Sequence, residues 1–402
     1  MDRVSRREVL FGTGGVIAGV VAAAGGTAAG TALEQGRDDG TPAAAADLPA
    51  DAPSTGAVRP DGTTQAGIDR PATPQRFGLL TVLDLPDAGS PATLLSRLAT
   101  LGTAVLDLTG AASAVPPGGA GDLTVTVGLG PRPVAAIDPG LPGATALPRF
   151  AGDESIAPER VGGDLLLALH GSDPMALPAA LRELRAALGD ATPRWSESCF
   201  RGPGDGMVAR NPLGFHDGIT VPHGVRELSR EVWLPPEGDG GDPRVTGGTL
   251  CVLRRLVLDT ARFAELGTGS QEAVIGRRLS DGAPLSGGTM SDDVDLRAKT
   301  PTGQYLVPAR AHTRAAHPSF TGSGLMLRRG YGFAAPAVGD DPGETGLFFI
   351  SFQRELDTFV RTQHRLDEID ALMEFATPTA SASFLVLPGF DAGRPLGSTL
   401  TA

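Results

Sequence analysis

Three residues set far apart in the chain could do chemistry together. Asp217 lies in Gly214-Phe215-His216-Asp217-Gly218, His312 in Ala311-His312-Thr313-Arg314, and Arg328 in Leu325-Met326-Leu327-Arg328-Arg329-Gly330-Tyr331. An imidazole can ligate iron from one side, while a carboxylate and a guanidinium on the other carry the proton and hold the charge released when an O–O bond breaks. Each residue alone has a plainer reading. A Gly-x-x-Asp-Gly stretch is often a turn, with glycine for positive φ and an Asp bonded to its own backbone. One histidine among six is more often structural than a ligand. Arg328 sits in an apolar strand candidate and needs an anion, which a carboxylate of the fold or a bound group could supply. His216, beside Asp217, is a rival base.

The elements that would position these residues follow from hydrophobic period. Residues 77–85 read as a strand, 91–101 as a helix with Ser90 before it, and 123–129 and 164–170 as strands. Leu177, Leu181, Leu184 and Leu188 give residues 176–188 a helical stripe. That is β-α-β-β-α, lacking a final strand. The second half repeats the pattern: strand 248–258, helix 271–278, strands 325–333 and 347–352, helix 355–375 and strand 383–388. This β-α-β-β-α-β order is the split βαβ, or ferredoxin-like, arrangement, and two such halves could face sheet to sheet with helices outside. The expected fold class is therefore α+β with two ferredoxin-like domains, 76–220 and 221–396. Residues 279–311 fit no element of either repeat.

The composition agrees with a folded core. The chain has 402 residues, 41% of them hydrophobic and 20% charged, which is a globular balance. A formal net charge of -12 gives no electrostatic reason to bind nucleic acid or an anionic membrane. Ser5-Arg6-Arg7-Glu8-Val9-Leu10-Phe11 precedes a Gly- and Ala-rich apolar run, which resembles a twin-arginine export signal over residues 1–33. Such a signal implies a partner in the twin-arginine translocation machinery and an extracellular or cell-envelope destination, periplasmic where there are two membranes. That route carries folded proteins, often with a cofactor already in place. Residues 34–75 are poor in large apolar side chains and read as a disordered linker. Cys199 and Cys251 lack C-x-x-C spacing; they read either as a pair or as two inert buried thiols.

Taken jointly, four ordered motifs resemble the dye-decolourising peroxidase family, in its exported branch associated with peroxidase and deferrochelatase activity. They are 211–218, 271–278 with Gly282-Ala283-Pro284-Leu285 following, 311–314, and 325–331. The resemblance covers residues 76–396. It implies a dimeric α+β barrel-like core of two ferredoxin-like domains, with one haem b per subunit held between sheet and helices. It makes His312 the axial iron ligand, Asp217 the acid-base and Arg328 the distal arginine. Gly218, Ile219, Thr220, His317, Pro318 and Ser319 join Arg328 as expected cofactor contacts. Where the family has Pro-Arg this chain reads Pro318-Ser319, so Arg314 is expected to take the propionate in place of that arginine. Two residues past Arg328, where some relatives carry a polar residue, stands Gly330.

The implied substrates are hydrogen peroxide and small aromatic reductants such as phenols or dyes. Release of iron from haem with the porphyrin spared is the alternative, and a haem-free binding module a third reading. A homo-oligomer is left open. A ligating histidine usually gives its other ring N–H to a carboxylate, and Glu355 is the candidate, weighed against a plain role at a helix start. Asp217 must be ionised to take a proton, and its unperturbed pKa is about 3.9, so an acidic optimum is expected. Electrons from bulky reductants could pass through Tyr305, Tyr331, Trp195 or Trp233.

Overall fold

Most strands of this protein are buried on both faces, and the strands set the rest. The computed structural model describes residues 56–86, 88–115, 118–339 and 343–401. The expected export signal therefore lies outside the described residues. The first half runs β1 (Phe77–Asp84), α1 (Pro91–Thr109), β2 (Thr124–Leu129), β3 (Leu165–Gly171), α2 (Ala176–Leu188) and β4 (Thr192–Phe200). Strand β4 supplies the closing strand that the sequence reading lacked. Its inward side is only Trp195 and Cys199 among polar residues, so its period-two signal is thin.

The second half runs β5 (Thr249–Leu258), α3 (Gly267–Ile275), β6 (Leu327–Arg328), β7 (Tyr331–Ala335), β8 (Glu344–Gln353), α4 (Leu356–Ile369) and β9 (Ala376–Val386). The spatial order is β4-β1-β3-β2 in the first half and β9-β5-β8-β7 in the second, all antiparallel. Both are the ferredoxin-like order, and the α+β expectation holds. The two sheets then join into a closed barrel. The seams are short: Leu385↔Leu129 and Val386↔Gly128 on one side, Gly332↔Phe200 on the other.

Inside the barrel, Leu80, Val82 and Leu166 of the first sheet meet Leu253, Ile350 and Phe352 of the second. The outer face of the first sheet is covered by α1 and α2, where Leu94, Leu98, Leu177 and Leu184 pack on Leu167 and Leu169. Burying each such side chain stabilises the fold by roughly 1.5–3 kcal/mol. Helix α1 runs beyond residue 101 because Val105 and Thr109 continue its buried stripe. Cys199 and Cys251 are free buried thiols in the barrel core, and burial pushes both up.

Three expected elements are corrected. The linker expected through residue 75 ends earlier, because Gln65, Ile68 and Gln75 are buried. The Gln65 carboxamide extends the seam between β2 and β9: its Nε2 donates to Val127 O at 2.9 Å and Leu387 O at 3.0 Å, and its Oε1 accepts from Val127 N at 2.8 Å. A side-chain amide thus continues a ladder that the backbones leave open. The strand expected over 325–333 is interrupted between β6 and β7, although both keep the same register on β8. The interruption frees Arg329, fully buried, to reach Ile68 O, Pro71 O and Gln75 Oε1. The helix expected over 355–375 stops at Ile369. Asp370 takes extended backbone, φ -72 and ψ 120, and caps a short 3-10 turn, Ala371–Phe375, through Leu372 N.

Replacing Gln65 by Leu keeps the volume but leaves the Val127 N–H and two carbonyls without partners. We expect a loss of roughly 1–3 kcal/mol, read as a lower urea midpoint with unchanged slope.

Candidate active site

The site grows out of the second sheet's outward face. In β5 the inward Cys251 and Leu253 fill the barrel, while Arg254, Leu256 and Leu258 point outward; in β8, Phe348 and Ile350 are inward and Leu347 and Phe349 outward. Helix α4 does not close down on the whole of this face. Between them lies a cleft open to solvent. Phe215, Ile275, Met326, Phe359 and Leu366 add apolar wall. Residues 279–311, unplaced by pattern, contribute Asp293 and Val294 to the wall, anchored by a small cluster of Val294, Val307 and Ala311.

Asp217, His312 and Arg328 all line this one cleft. Asp217 sits on a separate small sheet of Gly204–Asp205, Val208–Arg210 and His216–Asp217. Its Oδ1 accepts from Gly218 N at 2.6 Å and from Arg328 Nη2 at 3.3 Å. Its Oδ2 accepts no hydrogen bond among the described residues and is the free oxygen. Arg328, on β6, also donates from Nη1 to Thr220 O at 2.9 Å, so the anion its burial requires is Asp217. Burial alone would raise the Asp217 carboxyl. Arg328, the Gly218 N–H, Arg201 and His312 outweigh it and hold the group below the usual carboxylate range.

His312 opens a short helix, His312–Ala315, held by Thr313 Oγ1 donating to Ile275 O at 2.6 Å. Its Nδ1 meets Asp370 Oδ2 at 2.6 Å, and the Asp370 side chain is fully buried. The carboxylate that orients the ring is therefore Asp370 and not Glu355, which is exposed at the start of α4. Burial lowers the His312 pKa, and Asp370 more than offsets this, leaving it raised. A carboxylate at Nδ1 assigns the proton there and leaves the Nε2 lone pair for a ligand. The sequence could have yielded Asp370 only with the helix break, since one continuous helix through residue 375 hides it.

Other expected contacts divide. Gly218, Ile219, Thr220, His317 and Pro318 line the cleft with the three central residues. Arg314 does not: its guanidinium donates to Leu296 O and lies over the Tyr305 and Phe320 rings. Ser319 is exposed, with its N–H spent on His317 Nδ1. Two arginines not singled out from sequence, Arg254 and Arg277, do line the cleft. Arg254 is bound to Asp153 at 2.7 and 2.8 Å. Arg277 donates to Gly282 O and Met290 O, and it lies within a motif already noted, Gln271 to Arg278. His216 turns its Nδ1 toward Gly282 and finds no partner among the described residues; burial and Arg210 lower its pKa. Of the four aromatics considered for electron passage, Tyr331 and Trp195 are buried, Trp233 packs on the barrel core and Tyr305 is exposed.

Fold and site together define a member of a known enzyme class. The model of the Dyp-type peroxidase C-terminal region matches residues 208–391. A dye-decolorizing peroxidase of Thermobifida fusca is 36% identical over 290 residues, covering 69% of this chain and 67% of that protein. A DyP-type peroxidase from Cellulomonas bogoriensis superposes with a TM-score of 0.77 and 32% identity, covering 87% of this chain and 99% of its own. A deferrochelatase of Yersinia pestis is 30% identical over 252 residues, 59% of this chain and 57% of that protein. The chain belongs to the Dyp-type peroxidase family and is a peroxidase by that membership.

Removing the cation beside Asp217 leaves burial as the largest influence on its carboxyl. In Arg328→Leu the Asp217 pKa should therefore rise above the wild-type value, measured in the haem-free protein by carboxyl carbon NMR titration. An unchanged or lower value would contradict the assigned electrostatics.

Proposed function

We propose that this chain is a haem b peroxidase that reduces hydrogen peroxide and oxidises phenols or dyes in one-electron steps. The observation that carries the reading is the shared cleft. An imidazole oriented by a buried carboxylate, and a carboxylate paired to an arginine, line one open, largely apolar cleft. The donor set fits: neutral His312 Nε2 suits ferric iron, and the apolar walls suit a porphyrin. Haem, when bound, supplies the redox chemistry.

The chain's own residues do the rest. His312 would be the axial ligand, and Asp370, accepting from Nδ1–H, makes that ligand more electron-rich. Asp217 Oδ2, free of hydrogen bonds, is the oxygen that takes a proton from one peroxide oxygen and returns it to the other. Arg328 keeps Asp217 ionised and holds negative charge that develops beside it. Because the Asp217 pKa is depressed, the base form persists into acid, which supports an acidic working range. Arg277, buried in the same wall with donors already on backbone carbonyls, would supply positive charge to an anionic group held in the cleft.

Removal of iron from haem would use the same residues. The peroxidase relative has the higher identity and coverage, and this favours peroxide turnover. The Ser5–Phe11 stretch supports export by the twin-arginine route as part of the same proposal. In the haem-loaded full chain, Asp217→Asn should cut the peroxide-dependent oxidation of a phenol by on the order of 10²–10⁴-fold, with haem content unchanged. Undiminished oxidation in that variant, or iron release from haem without peroxide turnover in the wild type, would overturn the reading.

A further inference from the structure

Asp217 and Arg328 come from different parts of the chain, so something must hold their backbones at a fixed separation. The 3.3 Å contact between them is too long and too solvent-accessible to do this alone. Behind both stands Arg201, one residue past β4 and thus from the first half of the barrel. Its own backbone is pinned, with its N–H donating to Arg76 O at 2.7 Å. Its guanidinium donates from Nη1 to Gly330 O at 3.3 Å and from Nη2 to Met207 O. Gly330 is two residues from Arg328. Met207 O is the wall directly behind Gly218, where a Cβ would come within 2.1 Å of it, and Gly218 follows Asp217.

One side chain therefore ties the segment carrying the arginine to the segment carrying the acid. We propose that Arg201 is a positioning residue for the peroxide reaction, bracing Asp217 against Arg328 from the other half of the barrel; this rests on the reading of Asp217 as the proton carrier. Arg201, Asp217, Arg328, Gly330 and Tyr331 line a small pocket that shares Asp217 and Arg328 with the cleft. The missing side chain of Gly330 keeps it open, since a Cβ there would lie 3.5 Å from Asp217 Oδ2. The Arg201 guanidinium has no carboxylate bonded to it among the described residues, so its charge is also directed at Asp217. The charged and titratable groups facing Asp217 are Arg328, Arg201 and His312, with His216 beside it in the same strand.

A planar fork can reach two carbonyls at once, and a lysine ammonium on a flexible stem cannot hold the same geometry. The two functions of Arg201 can thus be separated with Arg201→Gln and Arg201→Lys in the haem-loaded full chain. Two readouts are followed: the peroxide rate, and the pH dependence of cyanide binding, which needs a base to take the proton of hydrogen cyanide. Haem content and melting temperature are measured alongside. Arg201→Gln should slow the peroxide reaction by on the order of tenfold, short of the hundredfold that an ångström of misplacement can cost. It should also move the acid limb of cyanide binding to higher pH, with the reductant KM unchanged. Arg201→Lys should restore the acid limb and leave the rate low.

Wild-type rate and limb in both variants would overturn the proposal. So would a rate that falls only in proportion to haem content and melting temperature, which would make Arg201 a stitch between the halves and nothing more. If instead Asp217→Asn keeps full peroxide turnover, it is the functional reading that fails, whatever Arg201 does.

Discussion

The barrel closes through two seams that backbone pairing barely holds, and side chains finish both. One seam has two residue pairs and the other has one. Gln65 completes the first by imitating a peptide group between β2 and the chain after β9. At the second, Arg255 of β5 reaches Glu197 of β4 at 2.7 Å and Glu344 at 2.6 Å, with its guanidinium 3.8 Å from the Phe333 ring centroid. Buried charges left without such partners would cost several kcal/mol. The closed barrel leaves the second sheet's outer face available, and the cleft is built there.

What the cleft offers follows from strand alternation and from one helix break. Period two puts Leu256, Leu258, Leu347 and Phe349 on the cleft side with no further design. The break at Asp370 does two jobs with one carboxylate, capping the following turn with Oδ1 and orienting His312 with Oδ2. The carboxylate at Asp217 is likewise divided, Oδ1 held and Oδ2 free. A rigid half and a working half within one functional group is an economical way to pre-organise proton transfer.

Much of this was legible in the sequence. The repeated β-α-β-β-α-β order could be read because most of its strands and helices carry strong apolar period, and Arg328 stood out as a charge inside an apolar run. What escaped was local geometry. Strand β4 carries too few apolar residues to show a pattern, and a strand with one buried Trp and one buried Cys looks like a loop. Gln65 and Gln75 are polar residues doing interior work, so the segment around them read as linker. Asp370 escaped notice, and Glu355 stood as the candidate, because a helix without proline or glycine gives no sign of where it ends. Arg314 was expected near the cofactor as the substitute for the family arginine that Ser319 replaces, but two exposed aromatic rings and a backbone carbonyl hold it elsewhere.

The central claim is that His312 Nε2, with Nδ1 committed to Asp370, is the iron ligand of this fold. The most direct check is titration of ferric haem into the full chain and into His312→Ala, following the Soret band and the spin state by absorbance and electron paramagnetic resonance. One haem per wild-type chain with a histidine-ligated spectrum is expected, with loss of that spectrum in the variant and recovery on adding free imidazole. The same ligation spectrum in His312→Ala without added imidazole would contradict it.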